Sequence, residues 1–100
     1  MSIMRLNEFK ALPGKFEMLV GLFEEIVGQI RTVEGNERCE LYLKVADGVD
    51  EDEKLIVLEV WKNIAAHKNA ASAIDPKQFK AVMALLSERP SGQYYTATES

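Results

Sequence analysis

The sequence predicts an α+β protein with the chain order β-α-β-β-α-β and a four-stranded antiparallel sheet. Three observations carry this prediction. A long amphipathic helix follows a first strand. An alternating strand and a strand apolar on both faces come next, and a helix in two pieces leads to a last strand rich in Tyr and Thr. At 100 residues the chain forms a single domain, 1–100, in the ferredoxin-like arrangement.

The first helix is the clearest predicted element. The preceding strand covers residues 3–11, and Pro13 suits the first turn of the helix because its missing N–H is not needed there. Gly35 is expected to end the helix, since glycine enters the left-handed region at little cost. Apolar residues recur at helical spacing on one face: Phe16, Leu19, Val20, Phe23, Ile26, Val27, Ile30 and Val33.

Two strands follow this helix and should pair as an antiparallel hairpin. Residues 37–45 alternate in polarity, and residues 54–61 are apolar on both faces, as in a strand covered on both sides. The side chains that point one way in the first of these strands are Cys39, Leu41, Leu43 and Val45.

The second helix is predicted in two pieces. Asn63 caps a short piece, and Asp75 with Pro76 begins the next one. One face of the short piece carries Ile64, His67, Ala71 and Ile74, and the buried stripe of the next piece is Phe79, Val82, Met83 and Leu86. Residues 93–98 form the last strand.

Composition excludes several classes of partner. The net charge of −4, without a basic stripe, argues against nucleic acid. No apolar run reaches the length of a membrane-spanning helix and the N-terminus lacks a signal pattern, so we expect a cytoplasmic protein with no membrane partner. The single cysteine, Cys39, cannot form an internal disulfide and is expected to be a small buried apolar residue.

The acidic cluster Asp50–Glu53 raises the question of calcium binding. The alternating acidic spacing of a calcium loop is absent, so a solvated turn between two strands is the favoured interpretation. One histidine and one cysteine do not make a zinc site within one chain, and no metal is expected.

One face of the predicted sheet lacks a cover, because two helices cover only the other face. The strand at 54–61 is apolar on both faces, and we assign Trp61, Tyr94 and Tyr95 to the open face as well. A second copy packed sheet to sheet would bury this surface. The sequence therefore predicts a homodimer through the open sheet face.

Three segments, in this order and spacing, resemble the antibiotic biosynthesis monooxygenase domain. They are Leu12-Pro13-Gly14-Lys15, Val33-Glu34-Gly35 and Leu58-Glu59-Val60-Trp61-Lys62-Asn63. The resemblance spans essentially the whole chain and implies a dimeric α+β barrel. It also implies oxidation of quinols, anthrones or similar electron-rich phenols by molecular oxygen without metal or flavin, so no cofactor is expected.

The resemblance makes His67 and Asn7 the candidate catalytic residues. Family members often carry a histidine at the position of His67, and its near-neutral pKa would suit removal of a phenol proton. The alternative is a hydrogen-bonded core histidine. Asn7, on the same side of its strand as Phe9, would hold a substrate oxygen, or else bond to solvent at a strand edge. Many relatives carry a second histidine where this chain has Ala70 and Ala71.

Five further side chains are candidate substrate contacts. Trp61 matches the family tryptophan and would flank the substrate ring, although a core or interface anchor is the competing interpretation. Packing is likewise the alternative for the others. The five are Phe9, Tyr42, Trp61, Phe79 and Met83.

The leading functional hypothesis is a cofactor-independent monooxygenase that acts with O₂ on a small quinol-like or polyphenolic aromatic. Its pocket would lie between the sheet and the helices. A non-catalytic dimeric module, either one that binds a small molecule or a stress-associated protein, is the alternative, favoured by the missing second histidine. The isomerase-like and haem-degrading branches fit less well, because inward polar residues are scarce and the segment Gln78–Leu86 holds no axial histidine.

Overall fold

The computed structural model describes residues 1–49 and 52–98, and its elements follow the predicted order. A 3₁₀ turn at Ala70–Ala73 links the two pieces of the second helix. The strands are β1 (Ile3–Lys10), β2 (Asn36–Leu43), β3 (Lys54–Trp61) and β4 (Ser91–Tyr95), and the helices are α1 (Phe16–Ile30), α2 (Ile64–Asn69) and α3 (Pro76–Ala84).

The four strands form one antiparallel sheet in the order β2-β3-β1-β4, which confirms the predicted ferredoxin-like class. β1 pairs with β3 over its whole length and places Asn7 opposite Val57. On its other edge, β1 pairs with β4 and places Asn7 opposite Gly92. β1 is therefore one of the two central strands of the sheet and lies between β3 and β4.

The core lies between the sheet and the helices. Side chains at every second position of β3 are buried on this face, and α1 packs its apolar stripe against them. The rings of Phe9 and Phe23 meet with centroids 4.4 Å apart. Leu19, Leu55 and Trp61 are fully enclosed. This helix-covered face of the sheet also holds the candidate site.

The two ends of α1 differ from the prediction. Pro13 lies in the turn before the helix, not in its first turn. The helix ends at Ile30, where the backbone N–H and hydroxyl of Thr32 both bond to the carbonyl of Gln29 and close a turn. Gly35 lies in the following turn at φ +91°, and a Cβ there would overlap Ala66. Glycine is therefore needed at this position because α2 packs closely against it, and not because the helix ends there.

Both predicted caps of the second helix are confirmed. The side chain of Asn63 accepts a hydrogen bond from the N–H of Ala66 at 2.8 Å. The side chain of Asp75 accepts one from the N–H of Lys77 at 2.9 Å. Each oxygen satisfies a backbone donor that has no partner within the helix.

The buried stripe predicted for α3 is mostly wrong. Val82 is buried, whereas the side chains of Phe79 and Met83 are 56% and 38% exposed. The helix is short and ends at Ala84, so Leu86 lies beyond it. Only part of one side of this helix therefore meets the core.

In both edge strands of the sheet, one observed strand end lies about two residues from the predicted end. β2 ends at Leu43, before Val45, and β4 begins at Ser91 instead of Gln93. Cys39 in β2 is buried as predicted, and burial raises the pKa of its thiol to about 12. Such a thiol is not a nucleophile near neutral pH.

The open sheet face is partly apolar, but two of the three aromatic residues assigned to it lie elsewhere. Trp61 and Tyr94 lie on the helix-covered face. Trp61 is itself one of the buried positions of β3, and Tyr94 pairs with Arg5, which pairs with the buried Glu59. Tyr95 lies on the open face and is 45% exposed. The apolar centre of that face is formed by the partly exposed side chains of Met4, Leu6, Ile56, Leu58 and Val60.

The acidic loop falls partly outside the described residues. Asp50 and Glu51 lie there, and the neighbouring Asp52 and Glu53 are exposed. In the described part of the chain, no helix combines the length and the apolar character needed to cross a membrane.

Candidate functional site

A cavity of about 410 Å³ lies between the sheet and the helices. Its size falls in the range of small-molecule sites. Four lining residues are polar: Asn7, Glu59, His67 and Lys68. The remaining wall is apolar and consists of Phe9, Phe23, Ile26, Ile30, Val57, Ala70, Ala71, Ile74, Phe79 and Val82.

Strand register brings Asn7 and Glu59 together with Arg5 of β1 and Tyr94 of β4. Arg5 lies opposite Glu59 on one side and opposite Tyr94 on the other. His67 extends from α2 to the same place, and the centre of its ring lies 5.7 Å from that of the Trp61 ring and 5.3 Å from that of the Tyr94 ring. We refer to Arg5, Asn7, Glu59, His67 and Tyr94 as the polar cluster.

Glu59 is the buried acid of the polar cluster, with only 5% of its surface exposed. Its Oε2 accepts a hydrogen bond from Asn7 Nδ2 at 2.9 Å, and its Oε1 accepts one from Trp61 Nε1 at 2.9 Å. Burial raises the pKa of Glu59, and the two donors and the nearby Arg5 offset only part of that rise. The site therefore holds a carboxyl group that takes up a proton more readily than an exposed glutamate.

Asn7 links this carboxyl group to a cation. Arg5 Nε donates to Asn7 Oδ1 at 3.1 Å, and the guanidinium lies 4.6 Å from the centre of the Tyr94 ring. Gly92, opposite Asn7, leaves the space for this pair, because a Cβ there would overlap both side chains. The glycine in β4 thus permits the arrangement of Arg5 and Asn7.

His67 lies between Tyr94 and Glu59. Its Nδ1 and the hydroxyl oxygen of Tyr94 lie 2.6 Å apart, a hydrogen bond, whereas its Nε2 lies 4.0 Å from Glu59 Oε1. Burial and the positive charges of Arg5 and Lys68 lower the pKa of His67. The ring is therefore neutral at pH 7, and its approach to Glu59 is neither an ion pair nor a direct hydrogen bond.

The structure brings four of the seven predicted site residues to the cavity: His67, Asn7, Phe9 and Phe79. The other three do not line it. Trp61 is fully buried behind Glu59, and Met83 lies on α3 outside the lining. Tyr42 lies on the opposite face of the sheet and is 47% exposed, because the alternation of β2 turns it away from Cys39 and Leu41.

Three members of the polar cluster were not predicted as site residues: Arg5, Glu59 and Tyr94. For Glu59 a signal was present, because a period of two places it on the same face as Leu55 and Val57. A charged residue inside a buried apolar strand is a marker of function. Arg5 and Tyr94 carried no comparable signal, since their proximity depends on the pairing of the first strand with the last.

Nothing in the described part of the chain groups three or more His, Cys, Asp or Glu side chains as a metal site would require. The polar cluster contains one carboxylate and one imidazole, which are too few for a typical closed site. The cluster can bind a hydroxyl group and accept its proton, next to apolar walls that can hold an aromatic ring.

The fold and the site together define a ferredoxin-like α+β protein whose cavity has apolar walls and, at one place, a cluster of polar side chains around a buried carboxyl group. The chain belongs to the antibiotic biosynthesis monooxygenase family, whose profile matches residues 2–89. Tyr94 and the rest of β4 lie beyond this match. No curated protein sequence matches the chain.

Solved structures share the fold at low identity. SnoaB, a cofactor-independent oxygenase from Streptomyces nogalater, was solved in a mutant form that is 20% identical with a TM-score of 0.78, over 99% of this chain and 95% of SnoaB. Rv0793 from Mycobacterium tuberculosis is 17% identical with a TM-score of 0.81, over 100% and 98% of the two chains. A conserved protein from Methanosarcina mazei Go1 is 17% identical with a TM-score of 0.82, over 98% and 94%.

Proposed function

We propose that this protein is a cytoplasmic, cofactor-independent monooxygenase that oxidises a small quinol-like or polyphenolic aromatic with molecular oxygen. One observation carries the proposal: an apolar cavity of about 410 Å³ is lined at one place by a buried carboxyl group, the Asn7 amide bonded to it and the imidazole of His67, whose pKa is lowered. Family membership and the printed description of SnoaB as a cofactor-independent oxygenase support it.

The walls suit a flat aromatic substrate. Phe9 and Phe79 stand among the aliphatic lining residues, and aromatic rings pack well against such surfaces. His67 and Glu59 then face the substrate hydroxyl, and Asn7 holds Glu59 in place. A charged or strongly hydrated substrate would lose its solvation at the apolar walls without compensation.

The chemistry begins with removal of the phenolic proton. The resulting anion is electron-rich and transfers one electron to O₂, and the two radicals recombine to form a carbon–oxygen bond. The peroxide then takes up the abstracted proton and loses water: one oxygen atom stays on the substrate as a carbonyl, and the other leaves with that proton and the hydrogen of the oxidised ring carbon. The protein binds the ring, assists deprotonation and excludes solvent.

Oxygen uptake by the purified protein, after treatment with a chelator, tests this proposal against a panel of quinols and hydroxylated polycyclic aromatics. We expect uptake above the spontaneous rate, and a loss of about 10²-fold or more in His67→Ala, the scale of a lost proton-transfer group or oxyanion donor. The matched control is Asn69→Ala, an exposed position on the same helix. Full activity in His67→Ala would remove His67 from the mechanism.

A binding module without catalysis is the second candidate. The observation in its favour is that Ala70 and Ala71 line the cavity where many relatives carry a second histidine. Tight binding of aromatic compounds without any oxygen uptake across the panel would favour this candidate.

The protein is further proposed to be a homodimer through the open sheet face. Met4, Leu6 and Leu58 present a partly exposed apolar surface on that face, and α1 and α3 cover the other face only. Face-to-face packing of two such sheets would exclude water from this surface. An isologous two-fold contact is the commonest way to do so.

A further inference from the structure

The hydrogen-bond polarity around Glu59 is fixed by two groups that can only donate. The guanidinium of Arg5 has no acceptor atom, so the Asn7 atom that it contacts is the amide oxygen. The amide nitrogen of Asn7 therefore faces Glu59 as a donor at 2.9 Å. The indole N–H of Trp61 donates to the other carboxyl oxygen. Glu59 thus acts as an acceptor at both oxygens, as a carboxylate does.

The polarity around His67 follows from this carboxylate. If the neutral ring carried its proton on Nδ1, the Nε2 lone pair would face Glu59 Oε1 across 4.0 Å, and two acceptors would repel each other. The hydroxyl hydrogen of Tyr94 would also lose its partner, because His67 Nδ1 is the hydrogen-bond partner of that hydroxyl within the described residues. Protonation at Nε2 removes both conflicts.

We propose that Tyr94 holds His67 as the tautomer with its proton on Nε2, so that in the cavity His67 donates a hydrogen bond and Glu59 accepts the substrate proton. This assignment rests on the proposed oxygenase function for its substrate. It gives a catalytic role to Glu59 and makes Tyr94, which lies beyond the family match, a positioning residue.

The 4.0 Å separation of Nε2 and Oε1 defines a place for one hydroxyl oxygen. A third atom can lie about 2.8 Å from both, which is hydrogen-bonding distance to each. A hydroxyl group there accepts from His67 and donates to Glu59. An ether oxygen in the same place can accept but has no hydrogen to donate.

The proton balance is simple. The O–H bond of the substrate breaks, the proton passes to a carboxylate oxygen of Glu59, and the electron pair stays on the substrate oxygen. The N–H of His67 then stabilises that oxyanion, as a preorganised donor does. Each carboxylate oxygen has lone-pair capacity beyond the bonds from Asn7 and Trp61.

The tautomer can be measured directly, because His67 is the only histidine of the chain. Long-range ¹H–¹⁵N correlation spectra of protein labelled with ¹⁵N-histidine show which ring nitrogen carries the proton. At pH 7 we expect the proton on Nε2 in the wild type, and a shift of the Nδ1 signal toward that of a free ring nitrogen in Tyr94→Phe. A proton on Nδ1, or on both nitrogens, in the wild type would overturn the proposal.

Probe binding without oxygen tests the role of Glu59. 1-Naphthol can donate its hydroxyl hydrogen, and 1-methoxynaphthalene cannot. We expect naphthol to bind about 10- to 100-fold more tightly, the effect of one hydrogen bond to a charged group. This preference should vanish in Glu59→Gln and persist in His67→Ala.

A preference that persists in Glu59→Gln and vanishes in His67→Ala would make His67 the acceptor and overturn the assignment. Equal affinities in the wild type, or no binding of either probe, would also overturn it. Circular dichroism of each variant verifies that it is folded. Neither the spectra nor the probes involve O₂, so a failure of this assignment is distinguishable from a failure of the oxygenase proposal.

Discussion

Replacing Trp61 with alanine should be among the most damaging single changes in this chain. The side chain is fully buried between β3 and the helices, and its indole N–H donates to the buried Glu59. Truncation of a buried tryptophan costs about 3–5 kcal/mol through lost burial and the cavity left behind. Single domains are stable by about 5–15 kcal/mol, so this loss is a large fraction of the whole.

Trp61→Phe separates packing from hydrogen bonding. Phenylalanine keeps an apolar ring but cannot donate to Glu59 Oε1, so this variant should lose about 1–3 kcal/mol, the cost of a buried group without its partner. Urea unfolding of the wild type and both variants, at equal protein concentration, gives the free energies of unfolding. Thermal midpoints should fall by more than about 10 °C for Trp61→Ala.

A loss below about 1 kcal/mol in Trp61→Ala would refute the reasoning, because it would mean that the indole is not closely packed. The oligomeric mass provides a second criterion. Trp61 lies on the helix-covered face, so the folded fraction of either variant should keep the mass of the wild type.

Two further predictions concern the dimer and the pH dependence of stability. Leu58→Lys places a charge on the open sheet face and should halve the mass measured by sedimentation. The control Met18→Lys, at an exposed position on α1, should leave the mass unchanged. A Leu58→Lys protein that is still dimeric would argue against that interface. Burial and the charges of Arg5 and Lys68 lower the pKa of His67 in the folded protein, so the unfolded chain binds a proton at His67 more readily. The free energy of unfolding should therefore fall as the pH drops below about 6.5. Urea unfolding as a function of pH should show less of this fall in His67→Gln, and an identical fall in both proteins would contradict the direction of the pKa shift.

Much of the fold could be predicted from the sequence because its strongest signals are local. The apolar run of β3 was placed at its observed bounds, and the stripe of α1 identified the residues that meet the sheet. Element ends were less accurate. Pro13 and Gly35 are strong local markers, but tertiary contacts decided their roles: one lies in a turn outside the helix, and the other makes room for α2.

The candidate site could be predicted only in part. The family resemblance pointed to His67 and Asn7, and both line the cavity. Arg5 and Tyr94 meet because β1 lies between β3 and β4, a pairing that joins the two ends of the chain. Local patterns do not encode such contacts. Tyr94 was therefore assigned to the wrong face, although its hydroxyl is the hydrogen-bond partner of His67.

The polar cluster also shows how an acid can be buried in a strand at tolerable cost. Glu59 lies in the core, and each of its carboxyl oxygens accepts one hydrogen bond, from Asn7 and from Trp61. Asn7 in turn accepts a hydrogen bond from the guanidinium of Arg5. Two hydrogen bonds offset part of the cost of desolvation. The remainder raises the pKa of Glu59 and thereby suits it to accept a proton.

The most direct test of the central claim is the fate of ¹⁸O₂ in a reaction of the chelator-treated protein with a substrate that supports oxygen uptake. Mass spectrometry of the product measures the label. A monooxygenase of the proposed kind places one labelled oxygen atom in the product and releases the other as water, with a rate that depends on His67 and Glu59. An unlabelled product, with hydrogen peroxide formed in equal amount, would contradict oxygenation and identify the reaction as a simple oxidation.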